Sequence, residues 1–109
     1  MKKILIVDDD SINCMLAKHA LASDYEAVTV NSGKEALLWL EKELPDLILM
    51  DIEMPEMDGK TVVKQIKACK AWSKIPVVFL TADSSPITEA ECLQCGADDF
   101  ITKPFVVDV

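Results

Sequence analysis

Three continuous apolar runs stand out along the chain: Ile4-Leu5-Ile6-Val7, Leu47-Ile48-Leu49-Met50 and Val77-Val78-Phe79-Leu80. Runs of this length without alternation fit parallel strands covered on both faces. Between them the pattern changes to helical spacing. Residues 11–22 predict a helix with Leu16, Ala17, Ala20 and Leu21 on one stripe. Residues 26–30 suit another strand. Ser32-Gly33-Lys34-Glu35 has the form of a capping box, Ser32 reaching forward and Glu35 back, ahead of a helix over 34–43 that Pro45 stops. A Pro55/Gly59 loop leads to a helix over 60–70, and Ser73-Lys74-Ile75-Pro76 connects to strand 77–80. A helix over 87–95 ends at Gly96, a residue suited to the C′ position, and strand 99–102 runs into Lys103-Pro104-Phe105.

Five β units alternating with four helices predict an α/β fold. Right-handed crossovers make it a doubly wound five-stranded parallel sheet, for which the order 2-1-3-4-5 is expected. The chain has no internal repeat, low-complexity segment or linker, and its 109 residues fit one domain spanning 1–109. Hydrophobic residues make up 50% of it, enough for a core.

Charge narrows the function. Asp and Glu outnumber Lys and Arg 19 to 11, a net charge of -8. That balance argues against direct nucleic-acid binding, which needs a basic face. It suits a cation site and basic partners. No secretory apolar region or membrane span is evident, so a cytoplasmic protein is expected. Cys92-Leu93-Gln94-Cys95 has the spacing of half a redox or zinc site, but Cys14 and Cys69 stand alone. Free thiols serving as small core hydrophobes are the simpler reading.

The chemistry gathers at strand ends. Asp8, Asp9 and Asp10 follow the first strand, Asp51 the third, Thr81 the fourth and Lys103 the fifth. In an open parallel sheet, ligands sit at the carboxyl ends of the strands. Aspartates gathered there repel one another unless a cation joins them, which points to Mg2+. A single Asp at a strand end is most often a helix cap or a solvated loop residue, and a lone Thr or Lys there is equally ordinary. The joint placement along one rim is what carries weight. Asp51 alone has the metal pair on one side and Thr81 and Lys103 on the other, which makes it the natural nucleophile toward phosphorus. Asp9 would ligate Mg2+ directly, and Asp8 directly or through water. Asp51 itself and the backbone carbonyl of Glu53, two residues on in the sequence, would complete the ligands. Asp10 and Ser11 read as caps of the first helix. His19 reads as a surface residue, and Trp39 and Trp72 as packing residues. Ile12 and Met15, off the expected stripe and near the site, are candidates for touching a helical phosphodonor.

These motifs resemble the receiver domain of two-component response regulators. The likeness rests on Ile6-Val7-Asp8-Asp9, on Met50-Asp51-Ile52-Glu53-Met54-Pro55-Glu56-Met57-Asp58-Gly59, on Leu80-Thr81-Ala82, and on Gly96-Ala97-Asp98-Asp99-Phe100 running into Lys103-Pro104-Phe105. It implies a flavodoxin-like fold, Asp51 as phosphoacceptor, Asp8 and Asp9 as the acidic pair holding Mg2+, and Thr81 and Lys103 as phosphate-sensing residues. Phe100 falls where receivers keep a switch aromatic, and the Lys103-Pro104 bond is expected to be cis. A histidine kinase or histidine phosphotransfer protein is the implied phosphodonor. The result is a phosphorylation-dependent signalling switch on the helix 4–strand 5 surface, catalysing only its own phosphorylation and dephosphorylation.

Receivers usually carry a fifth helix after the Lys-Pro turn, and here the sequence stops at Val109. The expectation is a fragment of a longer regulator with an unknown output domain, prone to concentration-dependent self-association. A phosphorylation-linked dimer also belongs among the expected partners. The rival reading is a Mg2+-dependent haloacid dehalogenase-type phosphatase with its nucleophile in Asp8-Asp9-Asp10. That assignment leaves Asp51 and the Met54–Gly59 loop without a role.

Overall fold

The computed structural model describes residues 2–52, 54, 59–81, 90, 94 and 96–102, with the backbone alone for Thr81 and Thr102. The elements run β1 (Lys2–Val7), α1 (Ser11–Leu21), β2 (Tyr25–Val30), α2 (Gly33–Leu40), β3 (Leu47–Asp51), α3 (Gly59–Ala68), β4 (Val77–Thr81) and β5 (Asp99–Thr102). The strands form one sheet in the order β2-β1-β3-β4-β5. Every pairing is parallel. Most of the stretch expected to form a helix over 87–95 lies outside the described residues, as do residues 103–109 and both Cys92 and Cys95. Ala90 and Gln94 within that stretch are helical, and Gly96 after it has φ 103°, the left-handed value for which glycine is favoured at a helix end.

Alternation along β1 explains its unbroken apolar run. Leu5 and Val7 face one layer, where they join Ala36 and Leu40 of α2 and Val62, Val63 and Ile66 of α3. Ile4 and Ile6 face the other layer with Cys14 and Ala17 of α1, Leu49 and Leu80. Side chains of a strand alternate between faces, so a strand covered on both must be apolar at every position. Trp39 and Trp72 are half-buried against the first layer, as packing residues would be. His19 is exposed.

Three local expectations need correction. On α1 the buried positions are Cys14 and Ala17, with Ala20 and Leu21 half-buried, whereas Leu16 is 53% exposed. Each helical residue turns by about 100°, so Cys14, Ala17 and Leu21 share a face that Leu16 misses. Around α2, Ser32 Oγ accepts the Glu35 N–H at 3.1 Å as expected of a cap. The Glu35 carboxylate, however, accepts the N–H of Asn31 at 2.7 Å rather than that of Ser32. The same helix ends at Leu40 rather than at 43, because the N–H groups of Glu41 and Lys42 bond the carbonyls three residues back, Leu38 and Trp39, and tighten the last turn.

Candidate phosphoryl-transfer and metal site

Asp8 stands one residue beyond the end of β1. Its N–H donates to the Val30 carbonyl at 3.1 Å, extending the ladder to β2. Its side chain is fully buried, and Oδ1 accepts the Asp10 N–H at 3.0 Å. Asp10 then caps α1, accepting the N–H of Ile12 at 2.9 Å and of Asn13 at 3.4 Å. Ser11, read from sequence as a second cap, is instead the first residue of the helix. This run of local bonds leaves Asp9 between two anchored neighbours, exposed at the rim.

Asp51 is the last residue of β3 and is 5% exposed. Register sets its surroundings: Val7 pairs with Met50, and Asp51 with Leu80. The Ile52 N–H donates to the Leu80 carbonyl at 3.2 Å, so β3 and β4 stay paired up to the rim. Past Asp51 the chain meets the start of α3, where the Gly59 N–H donates to the Ile52 carbonyl at 2.8 Å.

One carboxylate oxygen each from Asp8, Asp9 and Asp51 lies within 4.8 Å of the other two. Two of the three side chains are buried and all three donors are hard oxygens. Mg2+ takes oxygens at about 2.0–2.1 Å, so ligands on opposite sides of the ion are about 4 Å apart. The cluster fits such an ion in donor chemistry, and an ion shared by the three acids would draw their oxygens to that separation.

Thr81 and Thr102 end β4 and β5 and face each other in the ladder, one step beyond the Leu80 that pairs with Asp51. Lys103 follows Thr102 in the chain and, like Glu53, lies outside the described residues. Phe100 of β5 is paired with Phe79 and half-buried against the first core layer. On α1, Ile12 and Met15 are 65% and 69% exposed, and Leu16 stands with them on the outer side of the helix.

Sequence reasoning passed over three residues at this site. Gly59 at the head of α3 touches the backbone of Asp51 and Ile52 so closely that a side chain has no room. The Asp-Gly pair at 58–59 was the signal for it. Cys14 Sγ and Asn31 Nδ2 both donate to the Asp8 carbonyl, each at 3.3 Å. Burial, with the three neighbouring carboxylates adding to it, pushes the Cys14 thiol up to about 11.

A family model described as the response regulator receiver domain matches residues 4–109. The chain is 42% identical over 105 residues to the alkaline phosphatase synthesis transcriptional regulatory protein PhoP of Bacillus subtilis, covering 95% of this chain and 43% of that protein. It thus spans well under half the length of that relative, and 23% of the regulatory protein AtoC of Escherichia coli, with which it is 38% identical over 99% of its own length. Among solved structures, chemotaxis protein CheY4 of Vibrio cholerae superposes with a TM-score of 0.92 at 34% identity, over 97% of this chain and 89% of that one. The receiver domain of sensor histidine kinase PA1611 from Pseudomonas aeruginosa superposes at 0.87 with 32% identity, over 96% and 87%. That structure holds a magnesium ion coordinated in its active site cleft. Among the described residues, no helix is long and apolar enough to cross a membrane.

Proposed function

The chain belongs to the response regulator receiver domain family, and we propose that Asp51 is its phosphoacceptor, with Asp8 and Asp9 holding Mg2+. A receiver domain is the signalling switch of a two-component system, and receivers of this kind are phosphorylated by histidine kinases. The observation that carries the assignment is the approach of the Asp8, Asp9 and Asp51 oxygens to within 4.8 Å of one another at the ends of β1 and β3.

An Asp51 carboxylate oxygen attacks the phosphorus of a phosphohistidine. The P–N bond breaks, the imidazole leaves with its electron pair and takes a proton, and an acyl phosphate remains on Asp51. Mg2+, when held beside Asp51, would supply positive charge that offsets the charge building up on the phosphoryl group. The Asp8, Asp9 and Asp51 carboxylates and the Glu53 backbone carbonyl are the groups that would hold it. The Thr81 hydroxyl and the Lys103 ammonium take the remaining phosphoryl oxygens. Self-phosphorylation and self-dephosphorylation are then the only chemistry of the domain, and it turns over no separate substrate.

The new charge draws Thr81 toward the phosphate, and Phe100, already half-buried on β5, rotates inward. The surface formed by helix 4 and β5 changes as a population shift between two packings. The donor is a histidine kinase or a histidine phosphotransfer protein. Its helix docks on the apolar outer face of α1, where Ile12 and Met15 are exposed beside the site.

Treatment with acetyl phosphate and Mg2+, read by intact mass, tests the assignment. One phosphoryl group per chain is expected, lost on chelation of the metal and absent in Asp51→Asn. Beryllofluoride should bind under the same conditions and fail to bind the variant. Undiminished labelling of Asp51→Asn would overturn the proposal.

A further inference from the structure

β2 leaves the sheet one residue too early to finish its ladder with β1. Val7 pairs with Val30, and the Asp8 N–H still reaches the Val30 carbonyl. In a parallel ladder the next bond would run from the N–H of residue 32 to the Asp8 carbonyl. Ser32 is already the N-cap of α2, with extended φ -154° and ψ 162°, and its hydroxyl serves the Glu35 N–H. A carbonyl at a buried residue still needs a donor.

Two side chains supply one. Asn31 Nδ2 donates to the Asp8 carbonyl at 3.3 Å, replacing the missing backbone donor. The Cys14 thiol donates to the same oxygen at 3.3 Å from the α1 side. Asn31 is itself held, because its N–H donates to the Glu35 carboxylate at 2.7 Å. The Asp8 carbonyl belongs to the peptide that joins Asp8 to Asp9, and that peptide is a rigid plane. Fixing its oxygen therefore fixes the relative direction of the two acids on either side of it. Residues that orient metal ligands in this way set the affinity of the site without touching the ion.

We propose that Asn31 and Cys14 are positioning residues that clamp the Asp8–Asp9 peptide and thereby set how tightly the acidic cluster binds its divalent cation. The clamp rests on the reading of Asp8 and Asp9 as the metal pair. It explains why Asn31 directly follows the half-exposed β2, why Glu35 reaches past the cap to that residue, and why a thiol occupies a buried position of α1 beside Asp8.

The test is Mg2+ binding by titration calorimetry on the apo protein, with thermal unfolding alongside. Asn31→Leu keeps the shape and removes the donor, and should weaken Mg2+ binding by roughly tenfold. Cys14→Ala should weaken it by a smaller factor, and Cys14→Ser, which restores a donor, should recover the wild-type constant. Leu40→Ala, at the far end of α2, should lose stability and keep its affinity. Wild-type affinity in both Asn31→Leu and Cys14→Ala would overturn the clamp, whatever their stability. Should Asn31→Leu fail to fold, the comparison of Cys14→Ala with Cys14→Ser decides alone. Wild-type protein that binds no Mg2+, or an Asp9→Asn variant that binds it as tightly as wild type, would instead remove the metal reading beneath the clamp.

Discussion

Gly59 presses against the backbone of Asp51. A Cβ built on Gly59 would collide with the Asp51 carbonyl oxygen and stand 3.0 Å from its carbonyl carbon. The first turn of α3 therefore rests on the peptide that follows the candidate phosphoacceptor, fastened by the Gly59 N–H to the Ile52 carbonyl at 2.8 Å. The constraint is one of space, and the neighbours are backbone, which cannot rotate out of the way.

Gly59→Ala should accordingly force α3 outward. Overpacking of this kind costs about 1–3 kcal/mol. We expect a lower urea midpoint together with slower labelling by acetyl phosphate, since the end of β3 must shift with the helix. An alanine variant with unchanged midpoint and unchanged labelling would show that the contact relaxes freely.

The three acids make a second, opposite-signed prediction. Carboxylates this close repel when no cation lies among them. Asp9→Asn should raise the thermal stability of the metal-free protein while weakening Mg2+ binding. Mg2+ in turn should stabilise the wild-type chain by about 2.7 kcal/mol at a concentration a hundred times its dissociation constant. Thermal scans with and without Mg2+ read both effects. A metal-free Asp9→Asn less stable than wild type would mean that the carboxylate serves structure first.

Lys67 offers a variant that separates stability from chemistry. Its ammonium donates to the Ser73 carbonyl at 3.2 Å, the Ile75 carbonyl at 2.8 Å and Asp98 Oδ2 at 3.3 Å. Asp98 Oδ2 also accepts the Val77 N–H at 2.9 Å, so one cation ties α3 to the starts of β4 and β5. Lys67→Met should lose about 1–3 kcal/mol through the acceptors left behind. Labelling at Asp51 should survive at temperatures where the variant is folded, because these bonds lie at the opposite end of the sheet. Loss of labelling in folded Lys67→Met would point to coupling along β4 and β5.

How far the sequence reaches is visible in these same residues. β1, β3 and β4 announce themselves because burial on both faces leaves no polar position in the run. Crossover handedness decides which face each helix covers once the order 2-1-3-4-5 is taken, and that order places Asp8, Asp9 and Asp51 together. Helix α1 was harder to read because it carries two apolar stripes, Cys14-Ala17-Leu21 facing inward and Ile12-Met15-Leu16 facing out. Hydrophobicity alone ranks the small Cys14 and Ala17 below the large residues beside them, and it was the small ones that fitted close to the sheet. The partner of Glu35 was hidden for another reason. A carboxylate with two N–H groups in reach chooses by backbone geometry, which no residue pattern encodes. The clamp on the Asp8 carbonyl arises from where β2 leaves the ladder, again a property of the folded backbone.

The outward stripe of α1 carries a prediction about the donor. Ile12→Asp with Met15→Asp places two charges on a solvent face and leaves the inward stripe intact, so folding should be nearly unaffected. Transfer from a phosphohistidine-bearing protein should slow by tenfold or more, since apolar docking surface is replaced by carboxylates. Labelling by acetyl phosphate should stay at the wild-type rate. Equal loss with both donors would place these residues in the chemistry rather than in recognition.

Cys14 gives the pH dependence. Burial first, and the charges of Asp8, Asp10 and Asp9 after it, raise its thiol from the ordinary 9.0 to about 11. The folded state therefore keeps a proton that the unfolded chain has already lost between those two values. Stability contributed by the neutral thiol is complete below about pH 9 and is lost as the pH rises through about 11. Cys14→Ser lacks the titrating thiol and should show a shallower fall in unfolding free energy over that window. Mapped alkylation should find Cys14 slower to react at pH 8 than the half-buried Cys69, because the reactive species is the thiolate and the side chain is covered. Rapid alkylation of Cys14 at pH 8, with Mg2+ absent, would mean that α1 opens away from the sheet and that the bond to the Asp8 carbonyl is easily broken.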